Sequence, residues 1–234
     1  MMNLETSTYC VKNYAVRRGI NPHSISALAG EVTVDVRNSY KGMVIAVGGP
    51  PHSGKSVFLA ELYRQLLARR PSGVFLQRAC PDGEGMWSAE SDPELVKEIR
   101  RKGSFDQSFM TFTLNAVEQL GRRLSIVLLD LGGRKTAENA EILARSTHLI
   151  VLSSREEEKN AWVEFAGAEG CKALAILGSR LVKNDDGSLN QSVRSVLALD
   201  EDVMHGAMLN LDRETGNSPY VEQIGQLAEW LLNR

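Results

Sequence analysis

Apolar residues fall along this chain in two kinds of pattern. Short unbroken runs occur at Met43–Val47, Val74–Gln77, Ser125–Asp130, His148–Leu152 and Lys172–Gly178, with one more at Ala207–Leu211. Runs apolar on both faces are what strands buried inside a parallel sheet require. Between them the apolar positions recur every three or four residues, the spacing of a helix with one buried face. Phe58, Leu59, Leu62, Tyr63, Leu66 and Leu67 mark one such helix, which Pro71-Ser72-Gly73 stops. Ser91 or Asp92 caps a second, with Leu95, Val96 and Ile99 inward. A third carries Phe105, Phe109, Phe112, Ala116, Val117 and Leu120 up to Gly121. Thr136 caps a short helix, and Ser154-Arg155-Glu156-Glu157 has capping-box spacing ahead of Trp162 and Phe165. Ser218-Pro219 opens a terminal helix with Val221, Ile224, Leu227, Ala228, Leu231 and Leu232 on its buried face.

Residues 1–30 and 179–206 carry no clear period, apart from a hairpin turn predicted at Asp186-Gly187. Glu31–Val36 alternates apolar and polar and reads as a half-exposed strand, paired antiparallel beside 43–47. The alternation of strands and helices predicts an α/β fold: an open, mostly parallel sheet with helices on both faces. The expected organisation is an N-terminal arm with an edge strand at 1–42 and one domain at 43–234. In such sheets ligands gather beyond the carboxyl ends of the strands, and the unusual residues lie there.

The first is Gly49-Pro50-Pro51-His52-Ser53-Gly54-Lys55-Ser56, which fits G-x-x-x-x-G-K-[ST] between a predicted strand and a predicted helix. That is the phosphate-binding P-loop, and with it the fold expectation becomes a P-loop NTPase. Gly49 opens the loop, and Gly54 allows close approach of an anion. The amides of His52, Ser53, Gly54, Lys55 and Ser56, with Val57 next, form a nest backed by the helix N-terminus. Pro50 and Pro51 have no N–H but occupy the half of the loop that donates less. Lys55 is expected on the β- and γ-phosphates and Ser56 on Mg²⁺.

Asp130 closes an apolar strand, the position of a magnesium-holding acid. Asp130-Leu131-Gly132-Gly133 also has D-x-x-G form, in which the Gly133 amide meets a γ-phosphate. Arg134, Lys135 and Arg78 are candidate phosphate-neutralising cations, and surface positions are the plain alternative. The loop Arg78-Ala79-Cys80-Pro81-Asp82-Gly83-Glu84-Gly85-Met86-Trp87 brings two carboxylates close together. Asp82 is a candidate for orienting a water or an acceptor hydroxyl, or for the magnesium shell. Trp87 is placed to stack on a base or cover the site. Cys80 has no partner His that would make it a nucleophile. His52 shapes the loop, and His23, His148 and His205 show no metal spacing.

Composition narrows the rest. Of the 234 residues, 43% are hydrophobic and 24% charged, with a formal net charge of −2, so no global field draws the chain to nucleic acid or membrane. Arg69-Arg70, Arg100-Arg101-Lys102 and Arg122-Arg123 lie near predicted helix ends, where cations are favoured. Cys10, Cys80 and Cys171 show neither disulfide nor metal spacing, and the polar start and lack of a membrane-length apolar run read as cytoplasmic. No N-K-x-D guanine signature follows the late strands, which favours ATP. Partition ATPases carry a Lys immediately after the first glycine of the loop. Pro50 stands at that position, which argues against that subgroup and against sharing a site across a dimer.

Together the Gly48–Ser56 loop, the Cys80-Pro81-Asp82-Gly83-Glu84-Gly85 loop and Asp130–Arg134 resemble the P-loop ATPase domain found fused to the CRISPR-associated ring nuclease that degrades cyclic oligoadenylate in type III systems. The resemblance covers about residues 43–180; residues 1–42 are too short for the nuclease domain, so no nuclease activity is carried over. It implies ATP and Mg²⁺ binding, with Lys55, Ser56 and Asp130 in the matching positions and Asp82 and Glu84 in the family loop. Two functions are expected from different classes. One is ATP hydrolysis or γ-phosphate transfer to a small-molecule or nucleotide acceptor, with Lys55, Asp82 and Asp130 as the catalytic set. The other is a binding module whose ATP state controls a partner or self-association into a homo-oligomer.

Overall fold

A computed structural model of the chain describes residues 35–81, 106–212 and 219–234. The chain divides into two units, Met1–Asn38 and Ser39–Arg234. In the first, Arg37 Nε lies 2.8 Å from both carboxylate oxygens of Asp35. Val36–Ser39 forms a single 3-10 turn.

The second unit is built on a sheet of seven strands among the described residues, in the order β2-β3-β1-β4-β5-β7-β6. These are β1 (Met43–Gly48), β2 (Val74–Arg78), β3 (Ile126–Asp130), β4 (His148–Ser153), β5 (Lys172–Arg180), β6 (Val196–Asp200) and β7 (Val203–Leu209). Every pairing is parallel except β6 with β7. The helices are α1 (Lys55–Arg69), α2 (Gln107–Gly121), α3 (Ala137–Leu143), α4 (Glu156–Ala168) and α5 (Val221–Leu232).

β1 shows why its run is unbroken. Strand side chains alternate between faces, and both faces here are covered. Ile45 and Val47 pack in one core with Phe58, Leu62 and Leu66 of α1 and Leu227 and Leu231 of α5. Val44 and Ala46 pack in the other with Val117 of α2, Ile142 of α3 and Trp162 of α4. Burying such a residue fully is worth about 1.5–3 kcal/mol, so a polar residue has no place in this strand.

The strand expected over Glu31–Val36 lies outside the described residues up to position 34. Its expected seat beside β1 is taken: β3 flanks β1 on one side and β4 on the other, both parallel. β1 is thus bounded on both sides by pairings of longer range. The helix expected after Ser91 and the loop with Asp82, Glu84 and Trp87 lie outside the described residues. Of the two expected caps, the first is present and the second is displaced by one residue. Thr136 accepts from the Asn139 amide and caps α3. Ser154 does not cap α4; its N-cap is Arg155, which makes no side-chain cap, while Ser153 Oγ accepts from the Arg155 amide at 3.1 Å. The Asp186-Gly187 turn is present, with Gly187 at φ 84° and an antiparallel bridge between Lys183 and Leu189. Among the described residues no helix is long and apolar enough to cross a membrane.

Candidate functional site

β1 runs into its loop at Gly48. Gly49 takes φ 140°, and a Cβ there would collide with the Leu152 carbonyl of β4. His52 sits at φ 60°, a left-handed conformation that costs a non-glycine residue about 1–2 kcal/mol. This agrees with a loop-shaping role. Gly54 is the N-cap of α1 at φ 79°, and no side chain caps the helix. A helix N-terminus of this kind presents main-chain N–H groups towards an anion. The loop is braced from β5, where Ser179 Oγ donates to the Ser53 carbonyl at 2.7 Å.

Lys55 folds back over this loop. Its Nζ donates to the carbonyls of Gly49 at 3.0 Å and Pro50 at 2.9 Å. Those carbonyls lie where Pro50 and Pro51 remove two amide donors, so the proline half of the loop presents acceptors to the lysine. Ser56, one residue on, donates to Asp130 Oδ2 at 3.4 Å. The parallel register of β1 and β3 pairs Val47 with Asp130, which brings the acid level with the loop entrance. Asp130 is 7% exposed, a carboxylate largely withdrawn from water.

A cavity of about 440 Å³ opens here, lined by Pro51 to Val57 on one side and Asp130 to Gly133 on the other. Of the loop and strand candidates, His52, Ser53, Gly54, Lys55, Ser56, Val57, Asp130 and Gly133 all line it. Gly133 reaches the P-loop so closely that an added Cβ would lie 2.6 Å from the Pro51 nitrogen. Three further lining residues escaped the sequence reading: Cys80, Leu211 and Asp212. Cys80 was weighed there only as a nucleophile, and it follows β2 as Asp130 ends β3. Leu211 and Asp212 follow β7, in a region whose strand signal begins late. Leu211 also packs on the loop, since a Cβ at Gly54 would fall 2.8 Å from its Cβ.

The cations separate. Arg134 is exposed next to Gly133. Lys135 pairs with Glu158 of α4 at 2.9 Å and lies 5.7 Å from the centroid of the Trp162 ring. Hydrogen bonding from Lys135 holds the Glu158 carboxyl below the usual carboxylate range. Arg78 Nε donates to the Cys80 carbonyl at 2.9 Å. Lys135 and Arg78 thus have protein partners in this arrangement. Ser56 and Asp130 supply the hard oxygen donors that suit a Mg²⁺ ion, which takes few protein ligands and keeps several waters. No group of three His, Cys, Asp or Glu residues suited to a metal occurs among the described residues, of which Asp82 is not one.

No protein-family model matches the sequence, and no curated protein matches it. Solved structures do. A plasmid partition protein from Borrelia burgdorferi B31 bound to AMPPNP is 11% identical, with a TM-score of 0.52 over 82% of this chain and 99% of that one. A plasmid partition protein from the same organism gives 12% and 0.53 over 82% and 99%. Cobyrinic acid a,c-diamide synthase from Mycobacterium smegmatis gives 14% and 0.53 over 82% and 94%. At these identities the likeness is one of fold: the chain has the α/β fold of P-loop NTPases, as its loop predicts. The same fold serves the partition proteins and the synthase, so the likeness does not bear on the subgroup that Pro50 argues against. None of these matches bears on the CRISPR association.

Proposed function

We propose that this protein of P-loop NTPase fold binds ATP with Mg²⁺ in the cavity between the Pro51–Val57 loop and Asp130–Gly133, and hydrolyses it. The observation that carries the reading is the approach of Ser56 to Asp130 beside an uncapped helix N-terminus. It joins a loop amide nest to a hydroxyl–carboxylate pair, the donor set of a nucleotide-bound magnesium. The AMPPNP in a structure of the same fold supports a nucleotide as the ligand.

The chain's own groups divide the work. Amides from His52 to Val57 receive the phosphates. Lys55 exchanges the Gly49 and Pro50 carbonyls for phosphate oxygens. Ser56 and Asp130 would hold a magnesium ion, which when bound would supply charge neutralisation at the phosphates. The Gly133 amide meets the γ-phosphate, with exposed Arg134 beside it. Asp82 orients the attacking water. Isothermal titration calorimetry with AMPPNP and Mg²⁺ tests the binding, and phosphate release tests the turnover. Lys55→Ala is expected to abolish turnover; unchanged phosphate release in that variant overturns the reading.

Gly133 pressed against Pro51 favours a second reading, in which occupancy of the cavity moves the 132–134 segment and a partner or second copy responds. Elution from a sizing column that shifts with ATP and Mg²⁺ supports it, and an unchanged profile removes it. Transfer to a nucleoside or nucleotide rests on the carboxylates of the 82–84 loop; ATP consumption that ignores added acceptors excludes it. A cytoplasmic role beside a type III CRISPR system rests on the motif resemblance, and the neighbouring genes test it.

A further inference from the structure

Asn139 sits in the first turn of α3, and only 1% of it is exposed. It lies outside every motif in the sequence. Its Nδ2 donates to two backbone carbonyls, those of Gly132 at 3.3 Å and Arg134 at 2.6 Å. These two carbonyls flank Gly133 in the chain. Its Oδ1 is buried with no hydrogen-bond partner among the described residues. The backbone of Asn139 is fixed by the helix cap, since Thr136 Oγ1 accepts from its main-chain N–H at 3.4 Å.

We infer that Asn139 is the positioning residue that aims the Gly133 amide at the terminal phosphate, and so sets the preference for a nucleoside triphosphate over a diphosphate. The inference rests on the proposed nucleotide site and deepens it.

The reason is peptide geometry. No peptide bond among the described residues is cis. In a trans peptide the C=O and the following N–H point in opposite directions within one plane. The Gly132 carbonyl and the Gly133 N–H belong to the same peptide. Fixing that carbonyl on Asn139 therefore turns the Gly133 N–H the other way. Gly132 and Gly133 both line the cavity, and Gly133 abuts Pro51 of the phosphate loop. A glycine peptide rotates freely when nothing holds it. With both flanking carbonyls tied to one buried amide, the donor is pre-organised, and its orientation costs nothing further when the anion arrives.

Calorimetric affinities for AMPPNP and ADP, each with Mg²⁺, are compared in the wild-type chain and in Asn139→Leu, which keeps the volume and removes the donor. AMPPNP affinity is expected to fall about tenfold, the worth of one hydrogen bond to a charged group. ADP affinity stays within about twofold, as expected when no group meets the missing phosphate. Equal losses for both nucleotides would mark Asn139 as merely structural and overturn the inference, as would no loss for either. Should Asn139→Leu fail to fold, the wild-type Gly133 amide decides. Its NMR resonance should shift with AMPPNP and not with ADP; the same shift with both, or none, overturns the assignment. A wild-type chain that binds neither nucleotide overturns the nucleotide site as well. Binding with an unaltered AMPPNP-to-ADP ratio in the variant overturns only the role of Asn139.

Discussion

Ser56 and Asp130, 74 positions apart in the chain, meet at 3.4 Å beside the cavity that both of them line. One stands at the start of α1 and the other at the end of β3. The parallel register of β1 and β3 is what lets them meet. If this pair holds the magnesium, then Ser56→Ala and Asp130→Asn each erase the gain in ATP affinity that Mg²⁺ brings. Calorimetry with Mg²⁺ and with EDTA reads this directly. The wild type should differ at least about tenfold between the two, and each variant by less than about twofold. The double variant should be no worse than the worse single one, because residues acting on one ion are not additive.

Gly54 carries two constraints at once, a positive φ and the side chain of Leu211 over its α-carbon. Gly54→Ala should cost about 1–3 kcal/mol of stability, from backbone strain and a displaced Leu211. It should also weaken nucleotide binding, because the first amides of α1 shift with it. Urea unfolding measures the first effect and AMPPNP titration the second.

Lys135 was a candidate for phosphate contact on its place after Gly133, yet it pairs with Glu158 and lies near Trp162. Lys135→Ala should leave AMPPNP affinity within about twofold of wild type. Its effect on stability should be small, as for other exposed ion pairs. A large loss of affinity would return Lys135 to the site.

His148 begins β4, at the end of the sheet away from the phosphate loop. Burial pushes its imidazole down from 6.5 to about 4, and the charges of Arg234 and Lys172 act in the same direction. Lys41 and Arg70 line the same hollow, Asp202 pairs with Arg234, and Thr147 Oγ1 lies 2.8 Å from His148 Nδ1. Because the folded value is the lower one, the unfolded chain binds more protons between pH 6.5 and 4. The contribution of His148 is complete above pH 6.5 and is lost as the pH falls towards 4. It amounts to at most about 2 kcal/mol, since the ring keeps part of its solvation. Denaturant unfolding at several pH values should show this slope. His148→Asn, which keeps a donor near the Nδ1 position, should flatten it.

Much of this was legible in the chain because the strands are buried on both faces. A run such as Ile126–Asp130 admits few other readings, and the loop at Gly49–Ser56 is bound by spacing to one kind of ligand. The neighbours of β1 were not legible. Local alternation at 31–36 favours a hairpin with 43–47, while pairings with residues about 80 and 100 positions later leave no mark in a short window. β6 was missed because as an edge strand it leaves Val196 and Leu199 mostly exposed and shows no alternation. Cys80, Leu211 and Asp212 join the cavity from the ends of β2 and β7, a convergence that only the strand order brings about. Asn139 was invisible for a different reason: its partners are backbone carbonyls, which every sequence possesses.

The central place of β1 has a consequence for how the protein comes into being. Its two flanking strands are synthesised long after it, β3 ending at residue 130 and β4 at residue 153. Before the ribosome reaches the codons of β3, this apolar segment has emerged without either companion. It is then exposed to water and to other nascent chains. The loop's first glycine also lies against the Leu152 carbonyl of β4, a neighbour that is made only later still. A polypeptide halted before residue 150 would therefore hold the complete motif without the strand that its first glycine abuts.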